Sequence, residues 1–284
     1  MTRAIPVDPL LEDNYNNMAR RPDAPELLRQ WSERSERYRS KADAILDCAY
    51  GSSERERIDL FRCGEKDAPL LVYIHGGYWQ RGDKSIYSFV AAAFNDSGVD
   101  VAIIGYPLCP QVTLSEIVAS IQDALAWLYL SASSLGICAE RINLCGHSAG
   151  GHLTAMALIT NWTARDNGFP LDLVKTGIPM SGLYQLEPLL HTTISDALHL
   201  STDEVQRLSP GFSRPTSSAP VLAIVGGAET PEFFRQTDAL VEHWSESGQQ
   251  IEKFVESEVD HFDLVDRLAS TDSEIFRRVT GWLR

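Results

Sequence analysis

No stretch of 18 or more consecutive apolar residues occurs in the 284-residue chain, so no membrane-spanning helix is expected. The first seventeen residues also lack the apolar core of a secretion signal. Cysteine is sparse. Cys48, Cys63, Cys109, Cys138 and Cys145 form an odd set with no paired spacing, which argues against a disulfide framework and for free thiols in the reducing cytoplasm. Asn161-Trp162-Thr163 matches a glycosylation acceptor and, without a secretion signal, reads as chance. Basic runs are missing too: 25 Lys and Arg face 39 Asp and Glu, a formal net charge of -14. Such a field repels nucleic acid and anionic lipid. The expected partner is therefore a small-molecule substrate, with a homodimer as the assembly to consider. There is no H-E-x-x-H, no cysteine pair with zinc spacing, no Rossmann fingerprint and no Walker loop. Neither a metal nor another cofactor is expected.

What remains is an ordinary globular composition, 44% hydrophobic and 23% charged, without repeats or low-complexity tracts. It suits one domain over residues 1–284. Residues 1–50 read as an N-terminal helical extension, with one or two surface helices in the Arg/Glu-rich stretch 24–46. Arg57-Ile-Asp-Leu-Phe61 alternates like a half-exposed edge strand. Short apolar runs at 70–74, 99–104, 141–145, 174–180, 221–225 and 251–255 have strand length, and amphipathic stretches at 114–130, 152–159, 232–245 and 273–283 have helical spacing. Strands alternating with helices predict an α/β fold, a mostly parallel sheet covered on both faces. Residues 185–218 break the rhythm and are expected to form a small helical cover over the site.

Gly146-His147-Ser148-Ala149-Gly150 fits the G-x-S-x-G elbow. Small residues two before and two after the serine let a strand turn sharply into a helix and lift the hydroxyl above the sheet. The pattern alone would occur by chance in about one chain in ten of this length. Here a strand pattern leads in and a helical pattern leads out, which makes Ser148 the candidate nucleophile. His75-Gly76-Gly77-Tyr78-Trp79 follows an apolar strand and is similar to an H-G-G-G oxyanion loop with Tyr78 in the place of the third glycine. Backbone N–H groups of Gly77 or Tyr78 and of Ala149 would stabilise the negative oxygen of an acyl-transfer intermediate. His75 is expected to shape the loop.

Serine needs a base at neutral pH. His261, after the last strand pattern, fits by order; His243 lies inside a helix pattern, His147 is expected to point away from Ser148, and His191 and His199 belong to the presumed cover. The third member should follow the penultimate strand, where the loop reads Gly226-Gly-Ala-Glu229-Thr-Pro-Glu232. Glu229 has the usual offset from the glycine; Glu232 and Asp238 are the alternatives, both placed on the next helix. The order Ser148, Glu229, His261 is the one this architecture requires.

His75-Gly-Gly-Tyr-Trp79, Gly146-His-Ser-Ala-Gly-Gly-His152 and Val225-Gly-Gly-Ala-Glu-Thr-Pro-Glu-Phe-Phe-Arg235 together resemble the α/β-hydrolase type of kynurenine formamidase (arylformamidase), as well as related carboxylesterases. The resemblance implies the α/β-hydrolase fold, no metal, and removal of formate from N-formyl-L-kynurenine in tryptophan catabolism. It carries Ser148, Glu229 and His261 over as the triad, with Gly77, Tyr78 and Ala149 around the oxyanion. The family's acid is typically aspartate, so Glu229 is a departure. Tyr78, Trp79, Tyr184 and Phe262 are candidates for an aromatic substrate pocket. The alternatives are a general short-acyl carboxylesterase and, from another class, a noncatalytic ligand-binding protein on the same fold.

Overall fold

The apolar runs that could satisfy two buried faces at once become the centre of a sheet. In the computed structural model, which describes residues 5–166 and 168–283, the strands are β1 (Ala44–Ala49), β2 (Arg57–Phe61), β3 (Leu70–Ile74), β4 (Asp100–Ile104), β5 (Ile142–His147), β6 (Thr176–Met180), β7 (Val221–Gly226) and β8 (Ile251–Glu256). They form one eight-stranded sheet in the order β1-β2-β4-β3-β5-β6-β7-β8. β2 runs antiparallel to β1 and β4, and the remaining pairs are parallel. Neighbour order reverses around β3: the chain goes to β4 on one side and returns to β5 on the other. At such a switch point the loops leaving the carboxyl ends of adjacent strands diverge and open a crevice. The loops after β3 and β5 carry Gly76-Gly77 and Ser148.

Alternation along β3 divides the core. Leu70, Val72 and Ile74 join the apolar cluster that includes Leu125, Leu128 and Leu153, while Leu71 and Tyr73 join a second one with Trp31, Phe94 and Phe276. The N-terminal part supplies helices α1 (Pro9–Tyr15), α2 (Asn17–Arg20) and α3 (Ala24–Arg39); α4 (Val90–Asn95), α5 (Leu114–Leu135) and α6 (Ala149–Leu158) follow. α5 is started by a Thr113–Glu116 capping box and ended by Gly136 at φ 70°. No helix among the described residues is long and apolar enough to cross a membrane.

Three expectations change. Residues 44–49 are a strand, so the N-terminal extension is not helical throughout; Ile45 pairs with Leu60 in the sheet. β2 is consequently an inner strand, buried over Ile58–Phe61, because β1 covers the edge that its alternation had suggested was open. Residues 185–218 form short helical turns behind α6 and do not roof the crevice; His152 Nε2 on α6 donates to the carbonyl of Leu208 at 2.7 Å. The domain drawn over 1–284 includes residues 1–4, 167 and 284, which lie outside the described residues.

One buried ion cluster fixes the N-terminal helices to the sheet. Asp59 on β2 has a fully buried side chain and meets Arg39 of α3, while its Oδ1 accepts from Lys84 Nζ at 2.7 Å and from the amide of Asp47 at 2.8 Å. Asp47 stands at φ 57° where the β1–β2 register slips, so the same carboxylate holds a bulge in place. Lys84 also binds the Asp47 carboxylate, which lowers the acid's pKa. Removing one member of a buried ion cluster strands the others. Asp59→Ala is expected to cost about 3–5 kcal/mol, seen as a lower urea midpoint. A loss below 1 kcal/mol would contradict this role.

Candidate active site

β5 ends directly at the elbow. Ser148 stands at φ 58° and ψ -119°, outside both helix and strand, and α6 begins at the next residue. Only glycine fits the flanking positions. A Cβ on Gly146 would lie 2.1 Å from the Gly150 carbonyl oxygen, and one on Gly150 would lie 2.0 Å from that of Ile74 on β3. Both are far inside contact distance. The amide of Ser148 donates to the Met180 carbonyl at 2.8 Å, tying the turn to β6.

The loop after β3 is held as tightly. Gly77, Tyr78 and Trp79 all have positive φ (118°, 52° and 58°), and the Gly77 carbonyl accepts from Gln80 and Arg81 at 3.0 Å. A Cβ on Gly77 would meet the Arg81 carbonyl oxygen at 2.2 Å. His75 is clamped between Tyr106 and Tyr87, ring centroids 4.3 and 5.5 Å away, with Nδ1 2.8 Å from the Gly76 carbonyl. Tyr78 donates its hydroxyl to the Tyr15 carbonyl of α1. Among the described residues, nothing accepts from the amides of Gly77, Tyr78 or Ala149, leaving these donors free for a ligand.

After β7, the side chain of Glu229 is fully buried. Its Oε2 lies 2.6 Å from His261 Nδ1. Its Oε1 accepts from the Gly226 amide at 2.9 Å and from the Ser181 hydroxyl. A Cβ on Gly226 would lie 2.4 Å from the Val259 carbonyl oxygen and 3.1 Å from Glu229 Oε1, so the backbone of the His261 loop and the acid both crowd this position. Ser181, at φ 45° just beyond β6, was not singled out from the sequence. The pairing of β6 with β7 brings it beside the acid loop, and that neighbour relation is its only signal. Glu232 is taken by the Tyr15 hydroxyl at 2.7 Å and by Arg235; Asp238 pairs with Lys253. His261 packs between the rings of His147 and Phe233, each 4.5 Å away.

Ser148 and His261 line one cavity of about 200 Å³. Its walls are Asn17, Met18, Leu28 and Trp31 from the N-terminal helices, the Gly76–Tyr78 loop, Ile86 and Tyr87, and Phe262; Arg81, Gly82 and His147 complete it. Tyr78 and Phe262 thus reach the cavity as expected. Trp79 and Tyr184 do not. Trp79 is fully buried, edge-on to His152 at 4.9 Å. Tyr184 is fully buried, with its hydroxyl accepting from the Gly182 amide at 3.1 Å. Both are core residues, packed into the apolar cluster that contains Leu153 and Phe233. His147 lines the cavity and packs against His261, with ring centroids 4.5 Å apart and planes tilted by 48°. The roof also differs: α2 and α3 close the cavity, and no residue of 185–218 lines it. Among the described residues, no group of three His, Cys, Asp or Glu could hold a metal ion.

The BD-FAE family model matches residues 58–176. A kynurenine formamidase of Danio rerio is 30% identical over 241 residues, covering 82% of this chain and 80% of the relative; that of Drosophila melanogaster is 27% identical, covering 80% and 78%. An ethyl acetate hydrolase of Pseudomonas putida is 28% identical, covering 84% and 82%. A solved structure from Silicibacter, described as a candidate thioesterase, superposes with a TM-score of 0.83 at 32% identity, covering 95% of this chain and 98% of the other. An esterase of Pyrobaculum calidifontis superposes with a TM-score of 0.69 at 20% identity, covering 97% and 96%, a likeness of fold.

Three buried histidines make the site's surroundings sensitive to acid. Burial pushes His75 and His152 down to about 4 and pushes His147 well below 6.5, helped there by the neighbouring His261. In the unfolded chain each takes up a proton near 6.5. Between about 4 and 6.5 the unfolded state binds more protons, so stability falls as pH drops through that window. Urea unfolding should show a loss of about 2 kcal/mol for each of His75 and His152 between pH 7 and pH 5. Constant stability over that interval would rule out their neutral burial.

Proposed function

Because this chain belongs to the kynurenine formamidase family of α/β-hydrolases, we propose that it removes formate from an aryl formamide such as N-formyl-L-kynurenine through an acyl-enzyme on Ser148. It is a hydrolase of formamides or esters; the nucleophile, the substrate and the steps below are our reading. The observation that carries it is the buried Glu229 carboxylate 2.6 Å from His261 Nδ1, with His261 and Ser148 opening into the same cavity.

In this mechanism Nε2 of His261 takes the proton of Ser148 Oγ as the oxygen attacks the formyl carbon. Glu229 holds the Nδ1–H tautomer and stabilises the imidazolium. The negative oxygen of the tetrahedral intermediate accepts from the amides of Gly77 or Tyr78 and of Ala149, donors that the strained loop and the elbow hold ready without reorganisation. His261 then gives its proton to the departing arylamine nitrogen. A water molecule, deprotonated by the same imidazole, attacks the formyl ester, and formate leaves as Ser148 recovers its proton. The aromatic walls and the modest volume of the cavity suit a substrate with one aryl ring and a small acyl group. No metal or other cofactor has a part in this sequence. The five free cysteines support a cytoplasmic site of action on a small molecule, away from nucleic acid and membrane, and a homodimer remains the assembly to test.

Paired kinetics test the proposal. N-formylkynurenine should release formate, and p-nitrophenyl acetate should be turned over more slowly. Ser148→Ala should lower kcat by about 10⁴-fold or more, and Glu229→Gln by about 10³–10⁴-fold. Turnover of the ester alone would sink the formamidase reading in favour of a short-acyl carboxylesterase, which the Pseudomonas putida relative favours. Full activity of Ser148→Ala would overturn both.

A further inference from the structure

The cavity has one charged side chain that neither the hydrolytic steps nor the fold employs. Arg81 lines it together with Ser148 and His261; it is exposed to solvent, and its side chain makes no hydrogen bond or ion pair among the described residues. The cations nearby are all committed. Arg20 pairs with Asp13, Arg21 with Asp260 and Asp263, and Arg55 with Asp83. The backbone of Arg81 is meanwhile among the most constrained in the site. Its amide donates to Gly77, and its carbonyl fills the space where any side chain on Gly77 would have to go. A long flexible side chain is therefore presented from a fixed point next to the free amides of the loop.

A guanidinium offers a planar pair of donors matched to a carboxylate. Much of the wall is aromatic and aliphatic, with Trp31, Tyr87, Phe262, Leu28 and Ile86, and Asn17 adds an amide whose buried Nδ2 has no partner among the described residues. An unpaired cation beside an apolar wall recognises a flat ring that carries an anion. The surrounding charge sharpens the point. A chain with a formal net charge of -14 repels anions at long range, so an anionic substrate needs a local cation to be retained, whereas a neutral ester does not.

We propose that Arg81 is a specificity-determining residue that binds a carboxylate on the aryl portion of the substrate, so that the site prefers anionic aryl acyl compounds to neutral ones of the same shape. The proposal rests on Ser148 being the nucleophile and names the substrate class of that site. It does not depend on the scissile bond being a formamide.

The test compares 3-acetoxybenzoate with phenyl acetate, two esters that differ only in the carboxylate. The wild-type enzyme should show the higher kcat/KM on 3-acetoxybenzoate. Arg81→Gln should lower the ratio of the two kcat/KM values by about tenfold, through KM, and Arg81→Lys should restore part of it. Added salt should erode the wild-type ratio. Titration calorimetry with 3-hydroxybenzoate and phenol reads the same contact without turnover, as a ratio of dissociation constants that Arg81→Gln collapses. A wild-type preference for the neutral compounds, or ratios unchanged in Arg81→Gln, would overturn the proposal. Ester turnover that persists in Ser148→Ala would instead overturn the assignment of the nucleophile, and the two failures are read from different variants.

Discussion

A parallel strand that runs into a helix packed against the same sheet must turn within one residue, and Ser148 is that residue. The turn exists because three backbones approach closer than side chains allow: Gly146 against Gly150, and Gly150 against the carbonyl of Ile74 on the neighbouring strand. Everything at the site is measured from that contact. It fixes the height of the serine above β5, brings the start of α6 beside the end of β3, and leaves the Ala149 amide without an internal acceptor. The cost is a non-glycine residue at φ 58°, a strained conformation kept by the packing on either side.

The second constraint is the length of the acid. A glutamate reaches farther than an aspartate and has one more torsion to order, so it holds a histidine in one orientation only if both oxygens are fixed. Oε1 accepts from Gly226 and Ser181, which leaves Oε2 for His261. Gly226 is held to glycine first by the Val259 carbonyl, 2.4 Å from where a Cβ would sit, and the acid packs beside it. The imidazole is then confined by His147 and Phe233. The longer acid is thus held by the Gly226 amide and the Ser181 hydroxyl, at the ends of two neighbouring strands.

The N-terminal helices complete the site rather than decorate it. Trp31 of α3 is almost wholly buried and donates to Asp266 at 2.9 Å. Tyr15 of α1 links the Gly76–Tyr78 loop to the helix that follows Glu229, its carbonyl accepting from Tyr78 and its hydroxyl donating to Glu232. Arg39 reaches the buried Asp59. Trp31 and Arg39 come from the polar, Arg/Glu-rich stretch that reads in sequence as surface helix, and Tyr15 from the segment before it. Their partners lie 20 to 235 positions away in the chain, and local periodicity carries no information about such distances.

The sequence by itself determined the alternation of strands and helices, the elbow, the glycine-rich loop and the chain order of Ser148, Glu229 and His261. Each depends on neighbours a few residues apart, through side-chain size, backbone freedom or burial period. Tertiary structure alone decided what those elements face. It put β1 on the outside of β2, turned Trp79 and Tyr184 into the core, and placed His147 against His261. It roofed the cavity with α2 and α3 instead of residues 185–218, and it set Ser181 beside Glu229. An aromatic residue in a loop satisfies a pocket and a core equally well in sequence. Only the direction of the backbone at that residue, set by contacts from distant strands, separates the two.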